Sequence, residues 1–377
     1  MSLRIGGMGW VTPLGSGLSH VWQQLLDGAE AKAQPVESTL HGRHYPAFRV
    51  PPEATAKAPA HPRLRRSSAI SRFAVVAGLA ALENAQVQLD AAAAERTAVI
   101  FAIANGGVVY TKRFYHEVVE SGAQAASPLL FPETVFNAPA SHLAAILGIT
   151  GASYTLVGDG AVGLLAMKMA EDLMLDPSLD RCLVVGAEEA DWLLCDAYSR
   201  WHLMRSAPPV EPFRSSPRGM IISEGAGAVL LDRVGAIRIE KIDPGCNFRR
   251  QSEAAACVDT IFAKLGARDE DLVVASANGT FIDKAEHAAV LRHCPSARVY
   301  TPKPALGESV GAGSIWQVVC AAQALQTQQI PPSLHREEGS SIGAEPGTAA
   351  DSPIARAIVS TCGMNQQVAG LALTRLP

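Results

Sequence analysis

The sequence predicts an α/β protein with a mostly parallel sheet and more than three layers. Strand-like and helix-like segments alternate from end to end, the pattern of strands linked by helical crossovers. Two segments, 161–175 and 311–325, are apolar nearly all round, and a helix without a polar face is buried between layers rather than laid on a surface. A turn at Gly235 separates strand-like runs at 226–231 and 237–242, so the chain divides near 233–236 into halves 1–235 and 236–377. With 377 residues, 48% of them hydrophobic, a large core is within reach, in one wide domain or two fused halves.

The elements follow in order. Residues 3–11 alternate small and apolar side chains before Thr12-Pro13-Leu14-Gly15, a strand running into a turn. Residues 21–26 read as a short helix. The stretch 30–62 is rich in Pro and Ala without periodicity and reads as a long surface loop. A helix spans 71–82, with Ser67, Ser68 or Ser71 as its cap. Residues 97–104 are a buried strand ended by Asn105-Gly106-Gly107, 128–137 are irregular, and 138–147 are helical. A strand at 154–157 leads through the tight turn Gly158-Asp159-Gly160 into the apolar helix 161–175, and a strand follows at 181–185. The second half continues with a helix at 252–265, strands at 272–276 and 299–301, the helix 311–325, and strands at 354–361 and 368–374.

The balance of 32 basic and 36 acidic residues gives a net charge of −4, and no long block of one sign suggests nucleic acid. The densest basic run, Arg63, Arg65 and Arg66, reads as a solvated loop. Seven cysteines show neither a C-x-x-C pair nor zinc spacing, so reduced thiols in a cytoplasmic protein are expected. The opening residues lack the apolar run of a signal peptide, and no 18-residue apolar stretch predicts a membrane span. None of the ten histidines has metal-ligand spacing, so no metal site is expected.

The order of motifs resembles that of the β-ketoacyl synthases, within the thiolase superfamily, over nearly the whole chain. Gly6 to Gly15 is similar to the family's T-G-x-G-x-V-T-P-x-G, and Trp22, Leu25 and Gly28 match its next helix. Gly148-Ile149-Thr150-Gly151 resembles the G-x-x-G-P before the nucleophile strand. Pro212-Phe213-Arg214-Ser215-Ser216-Pro217-Arg218-Gly219, followed by Ser223-Glu224-Gly225-Ala226-Gly227, is close to P-F-D-x-x-R-x-G…G-E-G-A-G. The resemblance implies a thiolase-like five-layer αβαβα fold of two similar halves, usually dimeric.

The resemblance also locates the catalytic positions, and each is changed. Where the family has T-A-C-x-S-G, this chain reads Gly158-Asp159-Gly160-Ala161-Val162-Gly163, so Gly160 stands for the cysteine. A glycine there suits a strained turn. Asp159 reads as a helix-capping carboxylate, with a nucleophile as the alternative. The first family histidine, in H-G-T-x-T…D-x-x-E, corresponds to Asn278, ahead of Asp283 and Glu286. Its amide can donate to a thioester carbonyl or simply serve a turn, but it cannot shuttle protons. The second, in K-x-x-x-G-H-x-x-G-A-A-G, corresponds to Glu308, with Lys303 retained. The family's glutamate nine residues later is Gln317 here. Lys303 is therefore expected to pair with Glu308, since a lone buried ammonium is costly. The gate G-F-G-G-x-N reads Gly363-Met364-Asn365-Gln366-Gln367-Val368, preceded by Cys362, and these residues are expected at the pocket. Cys362 is read as a small buried hydrophobe, with a relocated nucleophile as the alternative.

With the three reacting groups gone, the resemblance implies a non-condensing subunit of the chain-length-factor type. Such a subunit pairs with an active ketosynthase (or, in isolation, with itself) in polyketide, aryl-polyene or fatty-acid-like biosynthesis. Those subunits often carry Gln at the cysteine position, and the Gly160 of this chain gives no ground for any decarboxylating role of that Gln. Its assembly would act on acyl and malonyl groups carried by the phosphopantetheine of acyl carrier protein, with no cofactor bound to this chain. The alternative is a stand-alone thioester hydrolase or acyltransferase using Cys362 or Asp159. The strand 152–157 is expected to join the sheets of two subunits.

Overall fold

The structure, a computed structural model, describes residues 3–336, 342 and 353–376. Fourteen strands are assigned among them: β1 (Arg4–Thr12), β2 (Gly15–Ser16), β3 (Ala33–Glu37), β4 (His44–Phe48), β5 (Thr97–Ile103), β6 (Ser153–Val157), β7 (Arg181–Glu188), β8 (Ile222–Ser223), β9 (Gly225–Asp232), β10 (Ile237–Asn247), β11 (Leu272–Val274), β12 (Arg298–Tyr300), β13 (Arg356–Cys362) and β14 (Gln367–Arg375). The helices are α1 (Leu18–Leu26), α2 (Ala69–Asn84), α3 (Ala91–Glu95), α4 (Val108–Ser121), α5 (Ala138–Leu147), α6 (Val162–Leu173), α7 (Trp192–Arg200), α8 (Ala254–Leu265), α9 (Phe281–His293), α10 (Lys303–Leu306) and α11 (Gly313–Thr327).

The large sheet runs β12-β11-β13-β14-β10-β1-β9-β7-β5-β6, with β2 hanging on β1. Read outward from its centre it repeats itself. On one side β1–β9 and β9–β7 are antiparallel while β7–β5 and β5–β6 are parallel. On the other, β10–β14 and β14–β13 are antiparallel while β13–β11 and β11–β12 are parallel. The two sets meet only at Arg4↔Arg238 and Ile5↔Ile237. The sheet is therefore mixed, and the mostly parallel arrangement expected from sequence holds only for the outer three strands of each set. Alternation of strands and helices does not reveal which strands become neighbours. The turn of residues 363–366 between β13 and β14 is too short for a crossover and forces an antiparallel pair.

Side-chain alternation along the strands sorts the core into layers. Ala98, Ile100 and Ala102 of β5 join a cluster with Leu164 and Met167 of α6 and Ile315 and Val319 of α11. That cluster also takes Leu272, Val274, Ala357 and Val359 from the other set of strands. The opposite face of β5, Val99, Phe101 and Ile103, packs under Ala74 and Ala77 of α2 and Leu143 of α5. Val273 and Ile358 face Val258 and Ile261 of α8 and Ala289 of α9. The order is thus helices, sheet, α6 with α11, sheet, helices: five layers, with the two all-apolar helices in the middle as their sequences require.

The sequence 30–62 differs from the expected loop. β3 and β4 form an antiparallel hairpin, and β4 adds β8 as a parallel neighbour. Pro35 faces Pro46 in that hairpin, and prolines inside a run argue against a strand. Burial of Val36, Tyr45, Ala47 and Phe48 outweighs that penalty. Arg63, Arg65 and Arg66 are exposed around buried Leu64. Helices α4, α7 and α9 were not assigned from the sequence; α4 has no buried residue to generate a pattern. Ser68 is the cap of α2. Among the described residues no helix is long and apolar enough to cross a membrane.

Candidate active site

β6 delivers the chain to the turn Gly158-Asp159-Gly160, and α6 leaves it at Val162 with Ala161 as its N-cap. Gly160 does not adopt a positive φ, so the turn does not demand glycine for its dihedrals, contrary to the expectation from sequence. Space is the tighter condition. A Cβ on Gly160 would sit 3.2 Å from the Cα of Gly363. Nor does Asp159 cap the helix, which has no side-chain cap. Its Oδ2 instead accepts the N–H of Asn365 at 2.7 Å, across the chain from the turn between β13 and β14. The Asp159 N–H in turn donates to Gln367 Oε1 at 3.2 Å.

Asn278, Lys303 and Glu308 come together. The Lys303 ammonium donates to Glu308 Oε1 at 2.7 Å, with both side chains almost fully buried. The Asn278 amide donates to Glu308 Oε2 at 2.7 Å, while its own Oδ1 accepts the Thr280 hydroxyl at 2.7 Å. Both carboxylate oxygens are thus committed, and so is the amide that might have met a thioester carbonyl. Gly313 makes room, because a Cβ there would lie 2.8 Å from the Lys303 Nζ. The Glu308 backbone is fixed as well, its N–H donating to Ile221 and its carbonyl accepting from Ser223. Gln317, at the position of the lost acid, does not touch the lysine. Its amide donates to the carbonyl of Ser360 at 2.9 Å and thereby ties α11 to β13.

Asp283 explains why the Pro212-Phe213 motif sits where it does. Its carboxylate accepts N–H groups of Phe213 at 2.7 Å, Asn278 at 2.8 Å and Gly279 at 3.1 Å. Burial nonetheless pushes its pKa up to about 6, against the pull of those donors. Glu286, which accepts the Ser276 N–H at 2.9 Å, is pushed by burial to about 8.

Cys362 and Met364 are both buried. Burial, then the nearby Glu286 and Asp159 carboxylates, drives the Cys362 thiol well above its ordinary range, which suits a packed side chain and not a nucleophile. A cavity of about 470 Å³ opens beside the turn. Asn105, Asp159, Tyr198, Trp201, Val310 and Gln366 are on its wall. Cys362, Gly363 and Met364, expected at the pocket, are not on that wall; the residues that follow them, Asn365, Gln366 and Gln367, are. Nor are Asn278, Lys303 and Glu308. Tyr198 and Trp201 escaped sequence reasoning because α7 shows a mixed pattern. Asn105 was noted only as the end of a strand.

A nucleophile-type turn entering a helix buried between two sheets, repeated strand patterns on either side, and five layers define the thiolase-like fold of ketosynthases. The family model for the β-ketoacyl synthase N-terminal domain matches residues 2–235, and that for the C-terminal domain matches residues 242–337. The chain belongs to the β-ketoacyl synthase family. It is 25% identical over 361 residues to nodulation protein E of Rhizobium sp. (strain N33), covering 89% of this chain and 88% of that protein. It is 22% identical over 414 residues to 3-oxoacyl-[acyl-carrier-protein] synthase 2 of Coxiella burnetii, covering 99% and 98%. Among solved structures it is similar to the ishigamide ketosynthase/chain length factor, with TM-score 0.84 and 20% identity over 100% of this chain and 99% of that one. It also resembles the complex of the ketosynthase ApeO with its chain length factor ApeC from Xenorhabdus doucetiae, with TM-score 0.80 and 18% identity over 100% and 98%.

Proposed function

We propose that this chain is a non-condensing, chain-length-factor-type subunit that pairs with an active ketosynthase in the cytoplasm. The assembly would act on acyl and malonyl groups carried on the phosphopantetheine of acyl carrier protein, in polyketide, aryl-polyene or fatty-acid-like biosynthesis. The observation that carries this reading is Gly160, which offers no nucleophile at the turn where the family places one. Deleting the nucleophile of a unit that acts together costs roughly 10⁴–10⁶ in rate. The buried Lys303–Glu308–Asn278 network adds support, since its groups are hydrogen-bonded to one another where the family places its histidines. Similar structures solved as ketosynthase and chain length factor together support such a pairing on the same fold.

The test is to co-express the chain with an intact ketosynthase encoded beside it, and to measure native mass and product length. A mixed dimer is expected, and Ala197→Phe, which fills the cavity, should shorten the products. Absence of a mixed dimer, or product lengths indifferent to that substitution, would rule the role out. A stand-alone hydrolase or acyltransferase remains the second reading on sequence grounds. It needs Cys362 or Asp159 as nucleophile, and the first is a buried thiol held protonated. Incubation of the chain alone with a labelled acyl-carrier thioester is expected to leave its intact mass unchanged; an adduct on either residue would establish the second reading instead.

A further inference from the structure

Helix α7 places Tyr198 and Trp201 on the wall of the 470 Å³ cavity, where Asn105, Asp159 and Gln367 also lie. Tyr198 is only 6% exposed, yet its hydroxyl has no hydrogen-bond partner among the described residues. That oxygen is not one of the interior polar atoms sealed from solvent, so it is open to the cavity. Burial, then the Asp159 carboxylate, pushes the phenol pKa well above its ordinary value, which keeps it a donor. The Tyr198 and Trp201 rings meet edge to face with centroids 5.7 Å apart, an arrangement that fixes both. The Trp201 indole N–H is a donor only, and it too has no partner among the described residues. Gln367 has its oxygen occupied by the Asp159 N–H at 3.2 Å, which leaves its amide NH₂ unspent. Asn105 is the converse, its NH₂ donating to Asp191 at 2.8 Å and its oxygen left over. Three unspent donors therefore share this wall. A hydrocarbon chain filling the cavity would strip water from them and return nothing, and a buried donor left unpaired costs more than a made bond gains. A chain with keto groups returns acceptors. The Asp159 carboxylate on the same wall disfavours an anionic occupant.

We propose that this cavity selects a neutral acyl chain that keeps its keto groups, over a saturated or polyene chain, and that the Tyr198 hydroxyl donates to one of those ketones. Tyr198 is then a specificity-determining residue, with Trp201 and Gln367 as further donors along the wall. The inference rests on the chain-length reading above and narrows its substrate class.

The test titrates the full chain with three N-acetylcysteamine thioesters of equal length, 3-oxohexanoyl, hexanoyl and 2,4-hexadienoyl, and measures each Kd by NMR. All three share the thioester carbonyl, so only the added ketone separates the first from the others. The 3-oxohexanoyl ester is expected to bind roughly 10-fold tighter than the other two, the worth of one hydrogen bond. Tyr198→Phe removes one oxygen and keeps the ring. It should weaken the 3-oxohexanoyl ester by roughly the same factor and leave the other two unchanged. Ala197→Phe, which fills the cavity, should weaken all three. The proposal is overturned if the esters bind alike or none binds. A preference that survives Tyr198→Phe, or 3-oxohexanoyl binding that survives Ala197→Phe, overturns it as well. Should Tyr198→Phe fail to fold, the preference of the unsubstituted chain and its loss in Ala197→Phe decide. This binding assay contains no ketosynthase. Failure of the pairing shows in the native mass of the co-expressed chains, and failure of the selectivity shows here.

Discussion

Lys303 and Glu308 hold each other in a place that neither charge tolerates alone. Both are buried, with one 2.7 Å contact between them and Asn278 completing the carboxylate. Glu308→Gln strands the ammonium, and breaking a buried pair from one side costs about 3–5 kcal/mol. Urea unfolding should show that loss, while Lys303→Met/Glu308→Leu should recover most of it. A double variant as unstable as Glu308→Gln would mean that the pair does not act through charge. Glu286 carries the opposite sign of effect. Its folded pKa of about 8 lies above the ordinary value of 4.5, so the folded state holds a proton that the unfolded chain releases. Its contribution is fully present below the unfolded pKa and is lost as pH rises through the folded one. Stability to urea should therefore fall between about pH 5 and pH 8, and Glu286→Gln should flatten that slope; an unchanged slope would assign it to other groups. At this scale the sequence was partly legible. The pairing of Lys303 could be read because an acid vanished at Gln317 as one appeared at Glu308. The contact of Asp159 with the 363–366 turn could not, because residues 206 positions apart meet only through the fold.

Helices α6 and α11 cross in the middle layer at a point set by Gly163. A Cβ there would overlap the Ser314 hydroxyl oxygen and come within 2.9 Å of Ile315, and the Gly163 N–H already donates to that hydroxyl at 3.1 Å. Gly163→Ala should lower stability by about 1–3 kcal/mol, the usual cost of overpacking a core. Adding Ser314→Gly should restore part of the melting temperature, because it removes the nearest obstacle. If the second substitution restores nothing, the two helices do not meet as described. Both helices were legible because burial on every side leaves an unbroken apolar sequence. Elements that are half-buried or exposed were not. Helix α4 shows no buried face, and β3 and β4 are disguised by Pro35 and Pro46, whose cost is outweighed by side chains that are buried only in the fold.

The two sets of strands end in equivalent positions, β6 on one side and β12 on the other, and these edges are treated differently. β12 is three residues long and buries Val299 and Tyr300. β6 is five residues long, pairs with β5 alone among the described strands, and leaves Tyr154 43% and Val157 53% exposed. A bare, apolar strand edge invites another chain, and stable proteins cover it or blunt it with charge. No charged residue lies in β6. Tyr115 and Val119 of α4, with Phe131 and Phe136 after it, add further exposed apolar surface on the segment that follows the cavity residue Asn105. On the function proposed above, β6 would be buried against a second subunit, over an obligate-type area above about 2,000 Å². Expressed alone, the chain should run as a homodimer in analytical ultracentrifugation, since the same edge can pair with its own copy. Tyr154→Lys/Val157→Lys should yield monomers with an unchanged far-ultraviolet circular dichroism spectrum, because exposed substitutions change intrinsic stability by only about 0.5 kcal/mol. Leu175→Lys/Leu291→Lys, at exposed apolar positions elsewhere, serves as the control and should leave the mass untouched. A monomeric unsubstituted chain in isolation would move the question to the mixed dimer, where the same two lysines should block association with the ketosynthase. A mixed dimer that tolerates them would show that β6 is not the seam.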